Sequence, residues 1–234
     1  MAWFGDDRFA TAGNDGFVKV WGRDQRDPKV PMRAFQHGAP VRSLAWSPDG
    51  SLVLSTAADG TAILWQLADS TGHLLSGHRA TVVSGRFSSD GMQVVTASED
   101  GTVRVWRTRD RGMIQIYDGF GAAVHDAAFM PGSCQRLVTA SEDGTLRVWS
   151  AASGHELTRI AAHSGRAAGA LVFLDQGRVA TGGVDGSVRV FPTCTATVVR
   201  ALCTMRDRSE ADKPGPCPVT EEEEKACCSI KKEP

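Results

Sequence analysis

The chain has 234 residues, 41% of them hydrophobic and 23% charged, with a formal net charge of −1. That length permits one sizeable core, and the composition is ordinary for a soluble globular protein. Residues 206–234 carry six Lys/Arg against eight Asp/Glu and the remainder 20 against 19, so no basic excess marks a non-specific nucleic-acid binder and no direct nucleic-acid partner is expected.

In chain order, Met1 to Asp7 lack a basic region followed by an apolar core, so no secretory signal is read there. Next comes Asp15-Gly16-Phe17-Val18-Lys19-Val20-Trp21, the first copy of a heptad Asp-Gly-x-φ-x-φ-Trp in which φ is apolar. Val41 to Trp46 alternates with the two-residue period of a half-buried strand. Ser47-Pro48-Asp49-Gly50 is a turn, Leu52 to Thr56 a buried strand, and Asp59-Gly60 a second turn leading into Ala62-Ile63-Leu64-Trp65. An outer strand follows near His73-Leu74-Leu75, giving four antiparallel strands. The heptad returns at Asp100–Trp106, at Asp143–Trp149 and, with Phe191 closing it, at Asp185. The aspartates stand 44, 41, 43 and 42 residues apart, the interval of one blade of a β-propeller. The units run about 1–36, 37–76, 77–119, 120–161 and 162–203 within one domain, 1–203; a disordered acidic, Pro-containing tail is expected over 204–234.

These five heptads in register make the chain resemble the WD40-repeat family, and the implied fold is an all-β propeller of five four-stranded blades. The first blade is incomplete, because Ala2-Trp3-Phe4 aligns with the end of an inner strand whose earlier part would lie upstream of Met1. The expectation is an open array or a piece of a larger ring, prone to self-association through unpaired blade edges.

His, Ser or Thr, Asp and Trp recur at fixed spacing: His37, Ser55, Asp59 and Trp65; His78, Thr96, Asp100 and Trp106; His163, Thr181 and Asp185 with Phe191. Hydrolases need one such set, whereas this one recurs with the blade period, so no catalytic residues are assigned. The family resemblance implies a structural tetrad in each blade, indole to hydroxyl to imidazole to carboxylate. In the fourth unit Phe120 stands at the His position, leaving Thr139, Asp143 and Trp149, and the first unit has only Thr11, Asp15 and Trp21.

No Gly-rich phosphate loop, HExxH or GxSxG motif occurs, and the six cysteines form no Cys-x-x-Cys pair. No cofactor or metal is expected, no apolar run reaches membrane-spanning length, and a reducing compartment, cytoplasm or nucleus, is read from the cysteines. In the tail, Ile230 to Glu233 fits a SUMO-acceptor pattern, Lys231-Lys232 a dilysine signal and Cys227-Cys228 an acylation site; all three are short patterns without a supporting context.

The resemblance further implies a non-catalytic scaffold that binds protein or peptide on its top face. Two aligned positions point there: the residue before the motif Asp (Asn14, Ala58, Glu99, Glu142 and Val184) and the residue five after the tetrad His position (Arg42, Val83, His125 and Ala168), of which Asn14, Arg42, Glu99, His125 and Glu142 are the expected ligand-facing residues. Acids mixed with Arg and His suggest a basic or mixed-charge ligand. The rival readings are a regulatory propeller cut from a larger kinase, NTPase or ubiquitin-ligase component, and a non-functional truncated product. Gly22, Gln66, Arg107, Ser150 and Pro192 stand where the family commonly has Asp after the closing aromatic, so a Trp-Asp-x-Arg signature is absent.

Overall fold

The computed structural model describes residues 1–23, 27, 29–131, 133–163, 168–174 and 178–192. All elements of this part are strands, and each heptad forms the third strand of its own antiparallel sheet. The first sheet holds β1 (Ala2–Phe4), β2 (Arg8–Ala12), β3 (Phe17–Gly22) and β4 (Arg33–Gln36). The second holds β5 (Val41–Trp46), β6 (Leu52–Ala57), β7 (Ala62–Gln66) and β8 (Thr71–Leu75). The third holds β9 (Val82–Phe87), β10 (Gln93–Ser98), β11 (Val103–Arg107) and β12 (Met113–Tyr117). The fourth holds β13 (Val124–Met130), β14 (Ser133–Ser141), β15 (Thr145–Ser150) and β16 (Glu156–Ala161). The fifth has three described strands, β17 (Ala168–Leu174), β18 (Arg178–Gly183) and β19 (Val188–Pro192). The tail and its short patterns lie outside the described residues.

The local reason for the hairpins is the Asp-Gly pair. Each Asp accepts the backbone N–H two residues on, as in Thr61 N–H to Asp59 (3.0 Å), Thr102 N–H to Asp100 (2.9 Å) and Thr145 N–H to Asp143 (2.9 Å). The glycine then takes a left-handed φ that a side chain would resist. At Gly60, φ is +85° and a Cβ would sit 3.0 Å from the His78 carbonyl oxygen and 3.2 Å from that of Ala80. This turn therefore lies against the entry to the next blade, and glycine is required for space as well as for conformation.

A single sheet cannot bury both of its faces, so the blades stack and share cores. Ala10, Val18 and Val20 of the first blade pack on Val41, Val53 and Trp65 of the second. Leu54 and Leu64 meet Val94 and Trp106, Val95 and Val105 meet Leu137 and Trp149, and Val138 and Val148 meet Leu171 and Val179. The inner strands touch in the order β1, β5, β9, β13, β17, and no comparable packing joins β17 to β1 among the described residues, so the ring is open. β1 is three residues long where β5 and β9 have six. Val188 and Val190 of the fifth blade are 75% and 49% exposed, and Trp3 at the other end is 60% exposed.

Candidate functional site

The repeated polar sets lie where each third strand returns toward the start of its blade. In the third blade, the Trp106 indole N–H donates to Thr96 Oγ1 (3.0 Å), Thr96 Oγ1 meets His78 Nε2 (2.8 Å), and His78 Nδ1 meets Asp100 Oδ2 (3.1 Å). Asp100 also accepts the Arg79 backbone N–H (2.9 Å) and the Thr102 hydroxyl (2.7 Å). Burial pushes the Asp100 carboxyl up, but the Thr102 hydroxyl, the Arg79 N–H, the nearby His78 and the Thr102 N–H outweigh it and hold the pKa at about 2. Burial lowers the His78 pKa more than the Asp100 charge raises it, so the ring is neutral at pH 7.

The second blade is wired differently. Trp65 donates to Ser55 Oγ (2.8 Å) and Ser55 meets His37 Nδ1 (2.7 Å), but His37 Nε2 meets Thr61 Oγ1 (2.8 Å), and it is Thr61 that donates to Asp59 Oδ1 (2.6 Å). The expected imidazole–carboxylate contact is replaced by a hydroxyl bridge, and the ring is turned about: His37 faces its hydroxyl partner with Nδ1, where His78 faces Thr96 with Nε2. In the fifth blade His163 Nε2 meets Thr181 Oγ1 (2.8 Å) and Nδ1 lies 3.2 Å from Asp185 Oδ1, while Phe191, having no N–H, packs into the shared core. The first blade keeps Trp21 donating to Thr11 (2.9 Å).

The fourth blade fills the missing histidine with a residue that the spacing argument overlooked. Arg147 is 2% exposed. Its Nη2 reaches Asp143 Oδ2 (2.6 Å), its Nη1 donates to the Gly119 carbonyl (3.0 Å), its Nε donates to Thr145 Oγ1 (3.1 Å), and its guanidinium lies 4.5 Å from the Phe120 ring centre. Phe120 thus serves as a cation–π floor beneath the arginine. The signal in the sequence is Asp-Gly-Thr-x-Arg joined to the missing histidine: Thr145 and Arg147, two apart on a strand, share a face, and the same letters at Asp100 to Arg104 go with a His78 that itself meets the carboxylate. Arg189 holds the same register and pairs with Asp185 at 3.3 Å, but it is 43% exposed.

A second network also lay outside the repeat logic. Asp126, 4% exposed on β13, accepts from Ser84 Oγ (2.6 Å), from Arg86 Nε (3.2 Å) and Nη2, and from the backbone N–H of Leu171 (2.9 Å). Arg86 in turn donates to the Leu171 carbonyl (3.0 Å). One carboxylate therefore ties the inner strands of three blades.

The five residues read as ligand-facing stand at one end of the array. Glu99 N–H bonds the Thr81 carbonyl (3.0 Å) and Glu142 N–H bonds that of Ala123 (2.8 Å), which sets each motif turn beside the start of its own inner strand. Val41 N–H bonds the Gly13 carbonyl (3.1 Å), linking the turn of Asn14 to the strand of Arg42 in the next blade. Asn14, Arg42 and Glu99 are exposed, and His125 and Glu142 half-buried. Among the described residues no group of three or more His, Cys, Asp or Glu stands together to hold a metal ion. Four hydroxyls of the polar sets are buried, Ser55, Thr96 and Thr139 without exposure and Thr181 with 1%, while Thr11 of the first blade is half-buried.

Removing the Asp100 carboxylate strands His78 and two backbone donors, so Asp100→Ala is expected to cost about 1–3 kcal/mol, whereas Glu99→Ala stays within about 0.5 kcal/mol. With a folded pKa of about 2 against an ordinary 3.8, Asp100 contributes stability that is complete above its unfolded pKa and is lost as pH falls toward about 2. The gap between the two variants in urea unfolding therefore narrows from pH 7 to pH 3. Equal midpoints at pH 7 would refute the assignment.

Comparison with known proteins gives a consistent set of likenesses. The WD40 family (WD domain, G-beta repeat) matches residues 29–66, 70–107 and 112–150. Human WD repeat and SOCS box-containing protein 1 is 37% identical over 86 residues, 35% of this chain and 20% of that protein. Mouse F-box-like/WD repeat-containing protein TBL1X is 34% identical over 56 residues, 24% of this chain and 10% of that protein. Protein Rae1 of Drosophila melanogaster is 33% identical over 75 residues, 32% and 22% of the two chains. The matched segments thus span at most about a fifth of these relatives. A solved structure, that of U3-55K, superposes with a TM-score of 0.71 at 22% identity, covering 80% of this chain and 58% of that one.

Proposed function

The chain belongs to the WD40-repeat family, and from that premise we propose that it is a non-catalytic interaction platform whose ligand, a basic or mixed-charge protein segment, docks on the end bearing Asn14, Arg42, Glu99, His125 and Glu142. The observation that carries this reading is the contrast within each motif. The hydroxyls and imidazoles of the polar sets point inward and are hydrogen-bonded, and the motif aspartates, though nearer the surface, are engaged by the turn behind them, while the residue just before each motif Asp faces outward or lies at the rim. Acids at Glu99 and Glu142 sit on adjacent blades, and Arg42 stands one blade away, so charges of both signs border the mouth of the array.

A second reading is that the array is the recruiting part of a larger multidomain protein. The names of two relatives join WD repeats to a SOCS box or an F-box-like element, and the matched segments cover only 20% and 10% of those proteins. Both readings use the same surface.

The test is fluorescence anisotropy with a labelled Arg-Lys-Ser-Arg-Lys peptide against the full chain. Glu99→Arg combined with Glu142→Arg should weaken binding at least tenfold with an unchanged thermal melt. Binding that ignores this reversal, or no binding by the wild-type chain, would refute the reading.

A further inference from the structure

The outer strands of the blades differ in a way the repeat does not require. β4 and β16 carry Arg33, Glu156 and Arg159, and β8 contains Gly72 and His73. Charges and glycine on an outer strand discourage a further strand from pairing there. β12, Met113-Ile114-Gln115-Ile116-Tyr117, has no charge, glycine or proline. It is the terminal strand of its sheet, so one row of its backbone N–H and C=O groups is unpaired by β-structure. Met113, Ile114 and Ile116 are 49%, 37% and 36% exposed. An apolar strand edge of this kind is a template for an added strand.

The approach to that edge is cationic. At the Met113 end, a cleft of about 230 Å³ opens between the second and third blades, lined among others by Ser51, Gln66, His73, Thr108, Arg109 and Arg111. Among the described residues Arg109 and Arg111 have no ion-pair partner. The neighbouring acids are already engaged: Asp110 accepts from Arg107 (2.6 Å) and the Gly112 N–H (3.0 Å), and Asp69 accepts the Thr71 N–H (3.0 Å) and hydroxyl (2.7 Å). Two free guanidinium groups therefore stand beside an open apolar strand.

We propose that β12 and the Arg109–Arg111 cleft form a second docking surface, on which an extended segment of a partner protein adds a fifth, antiparallel strand to the third blade. Antiparallel addition continues the pairing of the sheet and sets the C-terminal end of the segment beside Met113. That segment has apolar residues at alternate positions over Ile114 and Ile116, and carboxylates at its C-terminal end, opposite Arg109 and Arg111. This surface is separate from the end that carries Glu99 and Glu142, so the two proposals stand or fall independently.

The probe is a labelled Val-Thr-Ile-Thr-Val-Asp-Glu-Asp peptide, read by anisotropy and by amide hydrogen exchange of the full chain. Saturating peptide should slow exchange at Met113–Tyr117 at least tenfold. Arg109→Ser with Arg111→Gly should raise Kd at least tenfold; glycine suits the φ of +62° at Arg111, so the turn is preserved. Ile114→Lys with Ile116→Lys should do the same, a Lys-Arg-Lys ending should abolish binding to the wild-type chain, and Glu99→Arg should leave it intact. Unslowed exchange in β12, or equal affinity in the arginine variant, would overturn the proposal. So would a β12 already protected without peptide in a concentration-dependent dimer that Ile116→Lys dissolves, since the occupant would then be a second copy.

Discussion

Asp126→Ala is expected to lower stability by about 3–5 kcal/mol, the range for removing one partner of a buried, hydrogen-bonded charge pair. The side chain accepts from donors on β9 and β17 while sitting on β13, so its loss is felt in three blades. Arg86, 39% exposed, can turn toward water, but the Leu171 N–H is buried and has no comparable escape. The fifth blade should loosen first: amide exchange in β17 should quicken more than in β5, which the network does not reach. Asp126→Asn keeps an acceptor and should lose less. Chemical unfolding with an unchanged denaturant slope gives the number, and exposed Asp118→Ala serves as a control. A loss under about 1 kcal/mol, no more than a surface ion pair yields, would show that the inner strands hold by packing alone.

Arg147→Ala should rank beside it, at about 3 kcal/mol or more, whereas Arg189→Ala at the same register should cost under about 1 kcal/mol. The two arginines each stand four residues after their motif Asp and differ in burial, 2% against 43% of the side chain exposed. Removing Arg147 strands the Gly119 carbonyl, exposes the face of Phe120 to an empty space and leaves Asp143 with Thr145 alone, without its guanidinium partner. Asp143, with 23% of its side chain exposed, can recover some hydration, so most of the loss comes from the carbonyl and the cavity. Paired melts of the two variants decide this, and equal shifts would contradict a structural role specific to the fourth blade.

The fold was legible because its information is local and repeated. An Asp-Gly turn, a period-two strand and a closing aromatic each name a conformation, and five copies in register leave little room for another architecture. The wiring of the polar sets was only partly legible. Spacing alone brings His78, Thr96, Asp100 and Trp106 into line, but it does not tell that Thr61 steps between His37 and Asp59, since a hydroxyl two residues after the motif Asp is present in other blades without displacing the carboxylate. Arg147 was not legible because the same letters recur at Asp100-Gly101-Thr102-Val103-Arg104, where His78 meets the carboxylate, so the pattern alone does not tell that a guanidinium fills the vacant His position beside Phe120. The Asp126 network has no sequence signature, since Ser84, Arg86, Asp126 and Leu171 belong to three units and meet only when the inner strands are stacked.

The turn glycines are one letter in the motif but answer to different demands. At Gly60 a side chain would have to adopt a left-handed φ and also wedge against the carbonyls of His78 and Ala80. At Gly186 the φ is +72°, yet no atom of the described residues stands within 4 Å of where a Cβ would be. Asparagine, which adopts that backbone region only occasionally, meets one obstacle at Gly186, the φ, and two at Gly60, the φ and the carbonyls. Tolerance to substitution is therefore graded along an array whose sequence looks uniform, and a glycine flanked by a following blade also acts as the spacer that sets how closely successive sheets can lean together.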